Sequence, residues 1–342
     1  MRAFVVRRHG DLDALELTSL PEPTPGPGEV VVEVRACGVN HLDVWVRRGV
    51  PGHHFPLPLV PGSDVAGVVR AVGPGVGNAT TGDEVVVAPG TSCGVCVACL
   101  SGRDQHCRRY AILGEHRDGG YAELVRVPAA NLIPKPQALS FTDAAAVGIA
   151  FLTAWHMLVA RAELRPGESV LVQAAGSGVG SAAVQIAKLL GATVIATASS
   201  APKRERASAL GADHVLDSGG PEVAEEVRAL TGGHGADVVV EHVGRETWDA
   251  SLRALAWQGR LVTCGATTGA AVALDLQHLF FKSQSVLGST MGSKGELWDV
   301  LRLVEQGRLR PVVHRVLPLA DAREAHRLLE AREVFGKLVL TP

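Results

Sequence analysis

The rhythm of apolar positions changes near residue 150. Before that point, short runs such as Val30–Val34, Val65–Val72 and Glu84–Ala88 alternate with Gly/Pro turns. Short β-branched runs bounded by turn formers predict an all-β, barrel-like region with long loops. The stretch from Pro21 to Gly28, with four prolines, reads as a stiff connector. After residue 150 apolar strands and amphipathic helices take turns. The pattern predicts a strand over Ser169–Ala174, a helix over Val179–Leu190 and a strand over Thr193–Thr197. It then predicts a helix over Pro202–Leu210, a strand over His214–Leu216 and a helix over Glu222–Leu230. Strands at Val238–Glu241 and Leu261–Cys264 follow, with a helix between them. Alternating β and α elements joined by short loops imply a parallel, doubly wound sheet. Beyond residue 290 the pattern gives a helix, a strand near Val312–Leu317, another helix and a last strand, Lys337–Leu340. This tail is expected to return to the first domain.

Composition narrows the picture. The chain has 342 residues, enough for two cores, and 46% of them are hydrophobic, as a packed globular protein needs. The net charge of −2 leaves no footprint for nucleic acid. No apolar run is long enough for a membrane helix. The chain opens without an apolar signal segment, so a reducing cytoplasm is expected.

Four cysteines crowd one loop: Cys93, Cys96, Cys99 and Cys107. Four thiolates at such spacing suit a tetrahedral metal, with zinc the usual occupant. Four protein ligands leave no open position, so the site is structural. Two disulfides could use the same residues, but a reducing compartment favours metal. The bacterial iron–sulfur pattern closes its gap sooner and follows with proline, where this chain has Arg108. Cys37 and Cys264 read as buried small residues.

The loop Ala174–Gly180 falls between the first strand and first helix of the α/β half. There Ala175, Gly176, Ser177, Gly178, Val179 and Gly180 can bring backbone N–H groups to a pyrophosphate. A strict G-x-G-x-x-G is absent, because Ser181 stands at the last position. The βαβ setting still points to a dinucleotide. NAD sites place an acid near the end of the second strand. This chain has Ser199, Ser200, Lys203 and Arg204 there instead, so NADP(H) is expected over NAD(H).

Three further segments carry a resemblance: Gly38-Val-Asn40-His-Leu-Asp43 through Arg47-Arg48-Gly49, Pro61-Gly62-Ser63-Asp64-Val-Ala-Gly67, and the residues around Thr153. With the cysteine loop, they make the chain resemble the medium-chain dehydrogenase/reductase superfamily over essentially its whole length. The first segment is similar to the signature of its quinone oxidoreductase branch. The resemblance implies an α/β protein with a GroES-like β-barrel catalytic domain over 1–150 and 291–342. That domain would carry a structural-zinc loop at 91–108. A Rossmann domain would fill 151–290. It also implies cofactor contacts at Val243, at Gly265 and Ala266, at Gly288, Ser289 and Thr290, and at Lys337. A homodimer or homotetramer is implied as well.

The departures from the family carry the mechanism. Where the alcohol dehydrogenases hold catalytic zinc, this chain has Asn40, Ser63 and Ile149. The resemblance therefore implies a structural zinc without the usual catalytic one. Quinones, enones or related carbonyl/alcohol pairs become the expected substrates, because conjugation spreads the charge that zinc would stabilise. Asn40, Asp43, Ser63 and Asp64 are the candidate catalytic residues, with the Asn40 amide facing the substrate carbonyl. Two alternatives stay open. One is an alcohol dehydrogenase with zinc on His41, His53, His54 or Asp64. The other is an inert NADPH-binding sensor.

Overall fold

The β-branched runs of the first third become strands of one seven-stranded sheet. Its order is Val313–Pro318, Lys337–Thr341, Glu29–Gly38, Asp64–Val72, Glu84–Val87 and Leu132–Pro134. Leu124–Pro128 also pairs with Glu29–Gly38. The computed structural model describes residues 1–220 and 222–342. It divides into two units: Met1–Ala150 with Ser293–Pro342, and Phe151–Gly292.

In the first unit, Val30, Val32, Val34, Val65, Val69, Val85, Val87, Leu338 and Leu340 pack into one core. Burying such a side chain contributes ~1.5–3 kcal/mol, which is why these runs pair instead of staying loops. The C-terminal strand joins antiparallel to the third, with Val339 opposite Gly38 and Leu340 opposite Cys37. Gly67 lets Asp64–Val72 cross its neighbour closely, since a Cβ there would lie 2.8 Å from Val32 Cγ1.

The second unit holds a six-stranded parallel sheet. Its order is His214–Asp217, Thr193–Ala198, Ser169–Val172, Ala236–Glu241, Leu255–Thr263 and Ser285–Gly288. In chain order that is 3-2-1-4-5-6, a doubly wound nucleotide-binding topology. The four residues of Ser169–Val172 are all buried, which explains the apolar run Val170–Val172.

Some elements differ from the pattern. The first parallel strand stops at Val172, because Ala174 turns into the left-handed region at φ 48°. The fifth strand starts at Leu255, since Ala236 already pairs with Leu255 ahead of a register shift. The helix His41–Arg48 and the hairpin Arg2–Val6/Leu15–Ser19 carried no clear periodic signal. Among the described residues, no helix is long and apolar enough to cross a membrane.

Candidate functional site

Asn40 and Asp64 sit on neighbouring chain segments because Gly38 pairs with Asp64 across the sheet. The Asn40 amide donates to Asp64 Oδ2 at 2.9 Å and to Gly38 O at a long 3.4 Å. Lys337 completes the group. Its Nζ lies 2.5 Å from Asn40 Oδ1 and 3.0 Å from Asp64 Oδ2. The other Asp64 oxygen accepts from Ile149 N–H at 2.7 Å. Asp64 and Lys337 are 1% and 4% exposed, so this ion pair is fully desolvated. Lys337, expected at the cofactor, thus has its ammonium engaged by Asn40 and Asp64. The hydroxyl of Ser63 is buried and has no hydrogen-bond partner among the described residues, which is unusual for a polar group away from water.

Asp43 anchors the same segment from below. One carboxylate oxygen accepts from Asn40 N–H at 2.7 Å, the other from Gly62 N–H at 3.1 Å. The Tyr121 hydroxyl donates to Asp43 at 3.2 Å. Behind it, Tyr121 Oη meets His326 Nε2 at 3.2 Å, and His326 Nδ1 meets Arg47 Nη1 at 3.3 Å. Arginine can only donate, so Nδ1 accepts and the His326 proton is on Nε2. The chain of bonds is then directed from Arg47 to Asp43. Burial pushes the Asp43 carboxyl up to about 7, against the lowering by its N–H donors. Burial, with Arg47 beside it, pushes His326 down to about 3, so the imidazole is neutral. Arg47 closes the chain on Glu330 at 2.8 Å. Arg47 lay in a segment that carried the family resemblance, but Tyr121, His326 and Glu330 carried no signal in the sequence, where Arg47 and Glu330 stand 283 positions apart.

In the second unit, Ser177 caps the helix Gly178–Leu189 by accepting from Gly180 N–H at 2.8 Å. The other first-turn amides have no intrahelical partner, which suits an anion. Gly180 is required for packing, since a Cβ there would press 2.9 Å from Ala175 Cα. Ala175, Gly176 and Val179 complete the turn. Beneath the loop runs a buried polar chain that holds it. Thr197 Oγ1 accepts from Ala174 N–H and donates to Gln173, and Gln173 donates to Ser251. Ser251 and Thr247 donate to Glu241, which also takes the N–H groups of Val243 and Gly244. Gly265 O accepts from Thr263 Oγ1, Ala266 O accepts from Gly269 N–H, and Ser289 N–H bonds Thr263 O. The buried Ser289 hydroxyl, next to Gly288 and Thr290, has no partner among the described residues. An amide-lined helix start and a waiting hydroxyl fit a dinucleotide.

Ser199 and Ser200 lead into the helix Ala201–Ala209, which carries Lys203 and Arg204. The structure adds an acid there. Asp217 stands opposite Ala198 in the neighbouring strand, and Arg204 Nη1 bonds it at 2.7 Å. No reading of the Ala198 segment alone could supply this pairing.

Among the described residues, two groups of at least three metal-ligating side chains meet. In the first, the sulfurs of Cys93, Cys96, Cys99 and Cys107 lie within 4.8 Å of one another, and all four are free thiols. Cys93–Cys99 and Cys96–Cys99 separations are 3.8 and 3.5 Å. A zinc tetrahedron with ~2.3 Å bonds has edges of ~3.8 Å. The four thiols therefore fit zinc and are not bonded in pairs. The N–H of Val95 and the guanidinium of Arg109 pull the Cys93 thiol down to about 5. The second group is His53, Glu115 and His116. Asp64 is with Lys337 instead, and His41 packs edge-on against Trp45 at 5.5 Å, so His41, His53, His54 and Asp64 do not form one set.

Comparison with known proteins agrees with this architecture. Residues 26–137 match the alcohol dehydrogenase GroES-like domain, and residues 178–306 match the zinc-binding dehydrogenase domain. A quinone oxidoreductase of Pseudomonas aeruginosa is 34% identical, covering 98% of this chain and 97% of its own. A crotonyl-CoA reductase of Streptomyces avermitilis is 32% identical, over 96% of this chain and 83% of its own. The crystal structure of an NAD-dependent alcohol dehydrogenase superposes with a TM-score of 0.97 at 55% identity, covering both chains completely. The GroES-like and Rossmann folds, the full-length relatives and the paired domain matches together establish that the chain belongs to the medium-chain dehydrogenase/reductase superfamily and is an NAD(P)-dependent oxidoreductase.

Proposed function

We propose that the protein reduces quinones, enones or related conjugated carbonyls with NADPH, without the family's usual catalytic zinc and with a structural zinc on Cys93, Cys96, Cys99 and Cys107. The observation that carries this reading is the Lys337 ammonium on Asn40 Oδ1 and Asp64 Oδ2. A dication ~4 Å from that ammonium would be repelled by ~8 kcal/mol at an effective dielectric of 20. Asn40 and Ile149 stand where the resemblance puts zinc ligands, and Ile149 has no ligand side chain.

The Ala175–Gly180 turn would hold a nicotinamide cofactor, which would supply the hydride. The chain's residues do the remaining work. The Asn40 amide redirects its long bond from Gly38 O to the substrate oxygen, where negative charge develops. Lys337 holds the amide oxygen and Asp64 Oδ2 takes one amide hydrogen, which leaves the long-bonded hydrogen as the one to turn. Asp43 fixes the backbone on both sides through Asn40 N–H and Gly62 N–H. The Ser63 hydroxyl, which has no partner among the described residues, is a second candidate donor.

Lys203 and Arg204 support the NADPH preference. An exposed pair such as Arg204–Asp217 is worth ~0–1 kcal/mol, less than a charge-assisted phosphate contact at ~1.5–3 kcal/mol. Arg204 would therefore release Asp217 to hold a 2′-phosphate. We further infer a cytoplasmic homodimer or homotetramer. Exposed Trp257, Phe280 and Phe281 belong to the unit whose sheet ends at Ser285–Gly288, and they support assembly; light scattering measures it.

The deciding experiment is oxidation of NADPH and of NADH against a panel of quinones, enones, aldehydes and alcohols, before and after brief EDTA treatment. Conjugated acceptors with NADPH and survival of activity after EDTA are expected. Preference for simple alcohols with NADH, lost on chelation and restored by zinc, overturns the proposal.

A further inference from the structure

His53, Glu115 and His116 lie outside both the Lys337 cluster and the four-thiolate loop. His53 is remote in sequence from the other two, and the fold brings all three together. His53 Nε2 is 3.1 Å from Glu115 Oε1, and His116 Nδ1 is 3.8 Å from Glu115 Oε2. All three ligand atoms fall within 4.8 Å of one another.

Three features distinguish this group from a surface ion pair. Glu115 is only 8% exposed, and among the described residues its ion-pair partners are the two imidazoles. A buried carboxylate without lysine or arginine leaves a charge that a cation would offset. The imidazoles are in turn positioned. His53 packs on Phe55 with ring centroids 4.5 Å apart, and the two histidine rings meet edge-on at 5.9 Å. Finally, the turn that carries Glu115 is held to the catalytic segment. A Cβ on Gly114, which has φ +78°, would lie 2.6 Å from Gly62 N, so this backbone contact requires glycine.

We propose that His53, Glu115 and His116 bind a divalent transition metal of the zinc class through two nitrogens and one oxygen. Tetrahedral zinc with bonds of ~2.0–2.1 Å needs ligand separations of ~3.3–3.4 Å. The 3.1 and 3.8 Å separations run to the two different Glu115 oxygens, and one ligand atom from each residue lies within 4.8 Å of the others, so seating the metal closes the set by up to ~1.5 Å. His116 Nδ1 now accepts from Ile112 N–H at 3.2 Å. That long bond comes from an accessible backbone group, and water replaces it when Nδ1 turns to the metal. Three protein ligands leave one position open to water or to an oxygen ligand, unlike the closed four-thiolate site. The donor set also differs in softness: nitrogen and carboxylate here, sulfur there. The inference goes beyond the hydride-transfer reading and does not depend on it.

The test uses the full chain with zinc in the four-thiolate loop. Cobalt(II) alone is titrated by calorimetry and followed by absorption. One added equivalent is expected, with visible d–d bands and no sulfur-to-metal charge transfer. Glu115→Gln and His53→Ala should each weaken that equivalent at least ~10-fold. The half-exposed His53 makes the second variant safe for folding, which thermal melts verify. Absence of a second equivalent, a charge-transfer band accompanying it, or unchanged affinity in both variants would each overturn the site.

Discussion

Replacing Lys337 with methionine probes the centre of the first unit. At 3.0 Å from Asp64 Oδ2 the ammonium gains a Coulomb attraction of ~5 kcal/mol at an effective dielectric of 20. Neither partner reaches water. The substitution strands the carboxylate without stripping it, since Ile149 N–H at 2.7 Å and the Asn40 amide at 2.9 Å remain. Breaking one side of a buried pair costs ~3–5 kcal/mol, and the two surviving donors place the loss near ~3 kcal/mol. At pH 7 the ceiling is ~4 kcal/mol, the cost of protonating a carboxyl about three units above its peptide value. Urea unfolding of wild type, Lys337→Met, Asp64→Asn and the double variant gives a closed cycle. The expected loss is ~3 kcal/mol in the wild-type background but ~1 kcal/mol in the Asp64→Asn background, a coupling of ~2 kcal/mol. A loss below ~1 kcal/mol, or an equal loss in both backgrounds, would refute the argument that desolvation makes this pair matter.

Other outcomes follow from the same geometry. Purified protein should retain zinc after dialysis at the four thiolates. Cys96→Ser should lose that zinc and lower the melting temperature, while elemental analysis finding the metal retained would exclude the assignment. The double change Lys203→Ala with Arg204→Ala should weaken NADPH by ~10-fold or more and leave NADH nearly unchanged, measured by fluorescence titration. An equal loss for both cofactors would show that these cations only cover a helix. Asp43 is held near 7 in the fold against an ordinary value of 3.8, so the folded state binds more protons between those values. Its contribution is therefore full below about pH 4 and is lost as pH rises through 7, by ~1 kcal/mol per unit within that window. Urea midpoints from pH 4 to 8 should show this slope in wild type relative to Asp43→Asn, and parallel curves would contradict it. Gly180→Ala should abolish cofactor binding, because its methyl would press on Ala175; retained NADPH affinity would count against the packing role.

Much of the chemistry was legible in the sequence because it is local. The four cysteines share one short loop, so their spacing alone implied one metal, and the structure gathers their sulfurs within 4.8 Å. The Ala174–Gly180 turn was legible for the same reason: strand, glycines and helix follow one another without interruption. Asn40 and Asp64 stood out through the segments that resemble the superfamily. Their partner Lys337 was expected among the cofactor contacts, because its neighbours in sequence say nothing about which strand it pairs beside. Asp217 was missed likewise. The segment after Thr197 lacks an acid, but parallel pairing of the next strand supplies one opposite Ala198.

The sequence by itself determined the alternation of strands and helices, the parallel sheet, the four-cysteine loop and the glycine-rich turn. Each depends on periodicity or on short spacing, where chain connectivity already keeps the groups close. Tertiary structure alone decided what those groups face. The Arg47–His326–Tyr121–Asp43 chain, the Lys337 ammonium on Asn40 and Asp64, and the meeting of His53 with Glu115 and His116 all join residues far apart in sequence. Such contacts form only because apolar burial fixes strand register, and that brings polar side chains to places where water can no longer satisfy them.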